Sequence, residues 1–408
     1  MPLVVQKYGG TSVADPERIR SVARRIAAAR GAGNDVVVVV SAMGNATDDL
    51  LKLAHEVSAR PHPRELDMLL TAGERVAMSL LAMALRDLEI EAISFTGSQS
   101  GILTDAHHTQ ARIREVRPER IRTELGNGRV VIVAGFQGVN PETKEITTLG
   151  RGGSDTTAVA LAAALGPCRC EIYTDVSGIY TADPRLVPEA RPIPRLPYSL
   201  CSTLAHLGGR VLHARCVDLA AAQHVPLVVR SSFDDLPGTI IEEDPMEGLA
   251  VRAVTHRTDC SIAIAEGNAG GRGEARGIIE AVAEALPALE LLAHEQASDA
   301  HAVLVWIGTP EDVATLEKRF RELRGPGMEW RISVQHGAAF VSLVGLGLGA
   351  LDAARAEEAL EKLRIPLVAL RTTPTALILR VPTERAADAV TALHAAFVER
   401  PAGAPAAR

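Results

Sequence analysis

Lys7-Tyr8-Gly9-Gly10-Thr11-Ser12 follows directly on Leu3-Val4-Val5-Gln6. A strand that runs into a lysine, two glycines and two hydroxyls gains little from burial. Glycines let backbone N–H groups approach an anion closely, and a lysine adds a point charge. The design recurs twice. Ser41-Ala42-Met43-Gly44-Asn45-Ala46-Thr47 follows the valine run 36–40. Leu149-Gly150-Arg151-Gly152-Gly153-Ser154-Asp155-Thr156-Thr157 leads into an alanine-rich stretch. A helix start of that kind favours phosphate or carboxylate through its free N–H groups and dipole. Any one segment also reads as a glycine turn with a capped helix, but three at strand ends point to an anion site. None fits G-x-x-x-x-G-K-[ST] or G-x-G-x-x-G, so the Walker and dinucleotide fingerprints do not apply.

Composition narrows the ligand. Only five of the 43 cationic side chains are lysine, at 7, 52, 144, 318 and 362, so a lysine inside a glycine turn points to a site that wants a compact ammonium. Aromatics are 3% of 408 residues and the formal charge is -7, which argues against stacking platforms or a polyanion-coating surface, so no nucleic-acid partner is expected. The longest apolar runs, 36–40 and 158–165, fall far short of the roughly 20 residues of a membrane span, so no membrane association is expected. Met1 leads almost directly into a strand pattern, and no leader is expected. The five cysteines (168, 170, 201, 216 and 260) are an odd number without zinc-site spacing, and free thiols in a reducing cytoplasm are expected. His206, His213 and the pair His107-His108 are expected in structural or surface roles.

The turns need rigid elements behind them. Strands are expected at 3–7, 36–40, 92–95, 130–134, 171–174 and 226–230. Asp15-Pro16-Glu17 starts a helix whose Ile19, Val22, Ala23 and Ile26 share one face. Further helices are expected over 64–87, 154–165 and 199–223. Repeated βα units with wholly apolar strands mean a largely parallel sheet covered on both faces, with ligands beyond the carboxyl ends of the strands. After Asp234-Asp235-Leu236-Pro237-Gly238 the pattern changes to two shorter β-α-β-β-α modules of ferredoxin-like plan. The expected divisions are 1–245, 246–330 and 331–400, with a loose tail at 401–408.

Several motifs together resemble the aspartokinases. They are Lys7-Tyr8-Gly9-Gly10-Thr11-Ser12-Val13, Ser41-Ala42-Met43-Gly44, Thr71-Ala72-Gly73-Glu74-Arg75 and Gly135-Phe136-Gln137-Gly138. Thr148 to Asp155 and Tyr180-Thr181-Ala182-Asp183-Pro184-Arg185 complete the set, in matching order across roughly residues 1 to 245. The resemblance implies an α/β amino-acid-kinase three-layer sandwich followed by two ACT modules. It also implies phosphorylation of the side-chain carboxylate of L-aspartate by ATP, with Mg²⁺ held mainly on phosphate oxygens. No dedicated metal cage on the protein is expected.

By that resemblance Lys7 bridges the phosphates and stabilises the transferring phosphoryl group, and Asp155 organises Lys7. Gly9, Gly10, Thr11 and Ser12 line the phosphate side. Glu74 pairs with the substrate amino group, and Arg151 grips its α-carboxylate beside Gly152, Gly153 and Ser154. Ser41 and Thr47 orient the reacting carboxylate. Thr174, Asp175, Tyr180, Asp183, Arg185 and Arg210 form the nucleotide side, with Arg210 where the family commonly has lysine. The resemblance further implies an amino-acid effector at the ACT modules and a homodimer or α2β2 assembly built through them. In the family the first ACT unit is often inserted within the second, and an internal start near Met246 would yield a separate regulatory subunit.

Departures from the family pattern concern regulation. Pro197-Tyr198-Ser199-Leu200-Cys201 stands where Ser-Phe-Glu-Glu-Met-like residues are usual. Gly271-Arg272-Gly273-Glu274 and Leu348-Gly349-Ala350-Leu351 lack the usual Pro-Gly, and His294-Glu295 replaces a Gln-Asn pair. Exchanging an amide for a carboxylate removes donors, so weakened inhibition by lysine and threonine is expected. Two alternatives share the motifs: a kinase for a related amino-acid carboxylate in a specialised pathway, and a non-catalytic amino-acid-sensing homologue.

Overall fold

The computed structural model describes residues 1–209, 211–243, 251–267, 273–286, 288–298, 301–324 and 329–399. Arg210, Met246, Gly271-Arg272 and the expected tail lie outside the described residues. Contacts group the chain into two units, 1–181 with 190–248 and 182–189 with 249–408.

The first unit begins β1 (Leu3–Tyr8), a 3₁₀ turn (Gly10–Val13), α1 (Pro16–Gly31), β2 (Asp35–Val40), α2 (Ala46–Val57) and α3 (Pro63–Arg86). It continues β3 (Ala92–Phe95), β4 (Ile102–Thr104), β5 (Ile113–Val116), α4 (Glu119–Gly126), β6 (Val130–Ala134), β7 (Gln137–Val139) and β8 (Ile146–Thr148). Then come α5 (Gly153–Leu165), β9 (Arg169–Thr174), β10 (Arg195–Pro197), α6 (Tyr198–His206), α7 (Ala214–Ala222), β11 (Leu227–Ser231) and β12 (Thr239–Glu242).

The main sheet has the order β10-β12-β11-β9-β1-β2-β6-β3, with β12 antiparallel to β11 and the other pairs parallel. β1 lies inside it, so Lys7 is bracketed by Val39 and Ile172. Alternation along the strand separates two environments. Tyr8, Val36, Val38, Val40, Val130 and Ile132 share a core with Ile19, Val22 and Ile26 of α1 and Ala77, Leu81 and Leu85 of α3. Lys7 points the other way, to α5. On the Tyr8 face a buried polar network braces the strand pair: Gln6 Nε2 donates to Glu171 Oε2 (2.9 Å), Tyr8 Oη to Gln6 (3.2 Å) and Tyr173 Oη to Glu171 (3.1 Å). α3 has the length and apolarity of a membrane span, yet its Leu70, Ala77, Leu81 and Leu85 are buried in the protein.

Asp15 caps α1 as expected, accepting from Arg18 N at 2.9 Å, with Pro16 in the first turn. The helix expected over 199–223 is instead α6 and α7. Gly208 adopts φ +115 between them, and a Cβ on Gly209 would lie 2.8 Å from Leu204 O, so only a glycine break fits. Tyr198, at the departure from the family pattern, opens α6 and donates from its hydroxyl to Val225 O at 2.7 Å. A separate sheet of order β5-β4-β7-β8 was not legible, because strands of three or four residues show no period.

The second unit contains β13 (Val251–Gly267), α8 (Glu274–Ala285), β14 (Glu290–Ser298), β15 (His301–Gly308) and α9 (Pro310–Leu323). It ends with β16 (Trp330–Gly345), α10 (Ala350–Lys362), β17 (Ala369–Thr373), β18 (Ala376–Pro382) and α11 (Ala386–His394). Its strands form one antiparallel sheet, β14-β15-β13-β16-β18-β17. β13 and β16 are far longer than the runs 261–265 and 340–344 suggested, and β16 begins at Trp330, at the expected division between the modules. Val251–Arg257 pairs with Gly345–Phe340, and Ile262–Gly267 with Gln335–Trp330, with register shifts between Val251 and Ala253 and between Arg257 and Ile262. The first module's strands are therefore enclosed between stretches that pair with the second.

Helices α8 and α9 bury Ile278, Val282, Leu316 and Phe320 against Leu304, Trp306 and Trp330. Trp306 is 2% exposed and meets Phe320 edge-to-face at 6.5 Å. Trp306→Ala should cost about 3–5 kcal/mol of stability, read as a lower urea midpoint than the parent's.

Candidate active site

Three turns at the carboxyl ends of the strands meet and lock. Gly9 N donates to Tyr173 O at 3.2 Å and Ser41 N to Tyr8 O at 3.1 Å. Gly44 N donates to Gly10 O at 3.0 Å, and a Cβ on Gly10 would come within 2.9 Å of the carbonyls of Ala42 and Gly44. Gly10 is thus required by the close approach of two backbones, a reason the sequence did not show, since the glycines were read as making room for an anion.

Lys7 and Asp155 come together here. Lys7 Nζ lies 2.6 Å from Asp155 Oδ1, and each side chain is 11% exposed. The contact is ionic and not aligned as a hydrogen bond, since Oδ1 accepts none. Asp155 sits in the first turn of α5, where a carboxylate is favoured by the helix dipole. A Cβ on Gly9 would be 3.4 Å from Lys7 Nζ, so the ammonium stands at the glycine turn itself.

Ser12 is buried and donates to Ser232 Oγ at 2.9 Å, and Ser232 N donates to Thr174 O at 2.9 Å. Thr174 Oγ1 in turn bonds Asp175 Oδ1 at 3.1 Å. This chain joins the first turn to the ends of β9 and β11; Ser232 carried no signal in the sequence. Thr11 is exposed, and its carbonyl accepts from Arg18.

Ser41 is half-buried after β2, and Thr47 is half-buried in the first turn of α2. Glu74 is 2% exposed on α3, and its Oε1 accepts from Ala42 N at 3.2 Å, one residue beyond Ser41. Its Oε2 has no partner. Burial pushes the carboxyl up to about 7 despite backbone hydrogen bonds from Glu74 itself and Ala42. α3 reaches this loop because Gly73 is bare: a Cβ there would lie 2.7 Å from Ala42 Cβ.

Arg151 is exposed in a tight turn between Gly150 (φ +76) and Gly152 (φ +70). A Cβ on Gly152 would overlap His213, and Ser154 packs against Gly135, where a Cβ would meet its Oγ at 2.7 Å. His213 is held below its ordinary value by burial and then by Arg215, His206 and Arg151, with Asp155 opposing. Arg215 donates to Leu149 O (2.9 Å) and Ala111 O (2.8 Å), closing the turn from below.

The remaining nucleotide-side residues are not gathered in the same way. Tyr180 is half-buried and bridges to Pro192. Asp183 and Arg185 form a two-pronged ion pair (3.0 and 2.7 Å) and lie in the 182–189 segment that groups with the second unit. Arg185 holds the Asp183 carboxyl below its usual range. All five cysteines are free thiols.

Residues 2–231 match the amino acid kinase family. The chain is 44% identical to the aspartokinase of Mycolicibacterium smegmatis over 406 residues, 97% of this chain and 96% of that protein. It belongs to the aspartokinase family. It is 43% identical to the aspartokinase of Thermus thermophilus, over 97% of this chain and 99% of that one. The structure of E. coli aspartokinase III in complex with aspartate and ADP matches with a TM-score of 0.81 at 25% identity, covering 97% of this chain and 100% of that one. The chain is accordingly an ATP-using phosphotransferase that phosphorylates aspartate, on an amino-acid-kinase fold with ACT-type sheet modules after it.

Glu74 should also mark itself in the absence of substrate. Between about pH 4.5 and 7 the folded protein keeps a proton that the unfolded chain has released, so stability declines with rising pH across that window. Glu74→Gln should match the parent near pH 4.5 and exceed it by about 2–3 kcal/mol at pH 8, measured by urea unfolding.

Proposed function

We propose that the chain transfers the γ-phosphoryl group of ATP to the side-chain carboxylate of L-aspartate, giving 4-phospho-L-aspartate at the head of the aspartate-derived amino-acid pathway. The observation that carries this reading is the buried Lys7–Asp155 pair on the lip of the glycine turns. A carboxylate is ionised at pH 7, so the reaction needs no general base. One carboxylate oxygen attacks the γ-phosphorus, the bond to the bridging oxygen breaks, and ADP leaves with that electron pair. The difficulty is holding two anions in line against their repulsion, so positioning and charge do the catalysis.

Lys7 meets the transferring phosphoryl oxygens, and Asp155 keeps its ammonium at the turn. The turn of Gly9, Gly10, Thr11 and Ser12 lines the phosphate side, although Gly9 N and Ser12 N already donate to Tyr173 O and Gly9 O; Thr174, Asp175, Tyr180, Asp183, Arg185 and Arg210 form the nucleotide side. Mg²⁺ would be carried mainly on phosphate oxygens and water, as this ion usually is beside phosphates. When bound, that ion neutralises charge between the phosphates. At the other substrate, the unpartnered Oε2 of Glu74 accepts the α-ammonium and the Arg151 fork takes the α-carboxylate beside Gly152, Gly153 and Ser154. Ser41 and Thr47 orient the reacting carboxylate.

The catalytic domain spans about 1–245, and ACT modules follow in a reducing cytoplasmic protein. Outer strands β14 and β17 and the exposed Leu291, Val368 and Leu370 suit pairing with a second copy, as a homodimer or α2β2 assembly. His294 and Glu295 are exposed on β14, where loss of amide donors weakens an amino-acid effector's hold.

Two measurements test this. ADP release followed with aspartate, glutamate and close analogues should favour aspartate, and Lys7→Met should lower kcat by about 10²–10³-fold; parent-like turnover in that variant defeats the reading. Titration of the aspartate reaction with lysine and threonine should give little inhibition below millimolar concentrations, and strong inhibition there would restore ordinary feedback.

A further inference from the structure

Asp67 lies on α3 seven residues before Glu74, two turns away on the same face. It is fully buried, and no role in substrate binding brought it to notice in the sequence. Its Oδ1 accepts from Thr148 Oγ1 at 2.6 Å and Thr109 N at 3.0 Å. Its Oδ2 bonds His108 Nδ1 at 2.6 Å and also receives Thr109 N at 3.2 Å. Thr148 ends β8 three residues before Arg151, and its carbonyl accepts from Ala111 N at 2.8 Å. Thr109 O lies 3.1 Å from where a Cβ on Gly150 would sit. A single carboxylate thus ties the helix that carries Glu74 to both backbone segments that support the Arg151 turn.

We propose that Asp67 is a positioning residue which fixes Arg151 relative to Glu74 and thereby sets affinity for the α-amino-acid end of aspartate. This rests on the assignment of Glu74 and Arg151 to the two α-substituents of the substrate. A guanidinium fork grips a carboxylate through two parallel bonds, so a small drift of its turn costs binding out of proportion to the movement. Other ties between α3 and this region, Arg64 to Glu145 (2.8 Å) and Gln137 Nε2 to Thr71 O (3.5 Å), meet it before β8 or at β7, whereas Asp67 alone of these bonds Thr148 at the end of β8. Asp67 is buried as an acceptor with its donors in place, and removing the Thr148 hydroxyl leaves Oδ1 only the Thr109 N–H that it shares with Oδ2. Its partners 108, 109 and 148 lie outside the Lys7 turn, so its influence falls on aspartate and spares ATP.

The test is steady-state kinetics of Asp67→Asn, Thr148→Val, Arg151→Lys and the Thr148→Val/Arg151→Lys double variant, with KM for aspartate and for ATP measured separately. Asp67→Asn should raise the aspartate KM about 10-fold and Thr148→Val several-fold, with the ATP KM and kcat within about twofold of the parent. In the Arg151→Lys background, Thr148→Val should add almost nothing, because the grip it supports is already lost. Parallel rises in both KM values, or additive effects in the double variant, overturn the proposal and leave Asp67 a general fold staple. Should Asp67→Asn fail to fold, Thr148→Val, which removes one bond, decides alone. If Arg151→Lys leaves the aspartate KM unchanged, the substrate assignment fails and this proposal with it. If Arg151→Lys raises that KM while neither other single variant does, only the positioning role fails.

Discussion

The ion pair between Lys7 and Asp155 is the constraint around which the first unit is arranged. An ammonium this buried needs a countercharge, and the partner must come from another element. α5 supplies it because Ala158, Ala160 and Ala162 are small and buried, letting the helix lie close to the sheet. The dipole of α5 favours Asp155 in its first turn, while the same N-terminus offers free N–H groups to other anions. One negative group is thus surrounded by positive or partly positive ones. The surplus suits a site where two acids must be brought together.

Glu74 follows the opposite logic. One of its oxygens is buried with no donor, and its carboxyl is pushed up to about 7. Such a group destabilises the folded protein once it ionises, because the charge has no donor on that oxygen. Lys7 has its countercharge in Asp155, whereas Glu74 Oε2 has no partner among the described residues, although both stand at the same locked turns.

Most of the frame was legible. Wholly apolar strands such as Val36 to Val40 announce burial on both faces, and Asp15-Pro16 announces a helix start. The glycine turns announced a place of close approach at the strand ends, and there two backbones do meet at Gly10. What stayed hidden depends on partners distant in sequence. Nothing local marks Asp67, which bonds residues 41, 42 and 81 positions away. Ser12 and Ser232 are 220 apart. The helix over 199–223 was misread because its apolar face continues through Gly208-Gly209, and the positive φ of Gly208 outweighs that periodicity. The placement of Asp183 and Arg185 with the second unit likewise follows from tertiary contacts alone.

The long strands of the second unit join its two modules into one sheet. β13 pairs at one end with the part of β16 that meets β18, and at the other with the part that lies beside α9's module. Side chains alternate with period two, so a slip of one residue in either half would turn every core residue to the wrong face. Leu304, Trp306 and Trp330 forbid that in the first half, as do Val341, Leu343 and Leu379 in the second. Register is therefore locked in both modules, and irregular pairing falls between Val251 and Ala253 and between Arg257 and Ile262. Bulges concentrate bend and twist in a strand. The stretch from Arg257 to Ile262, where the pairing passes from one module to the other, carries Cys260 buried against Ile262 and Ala338.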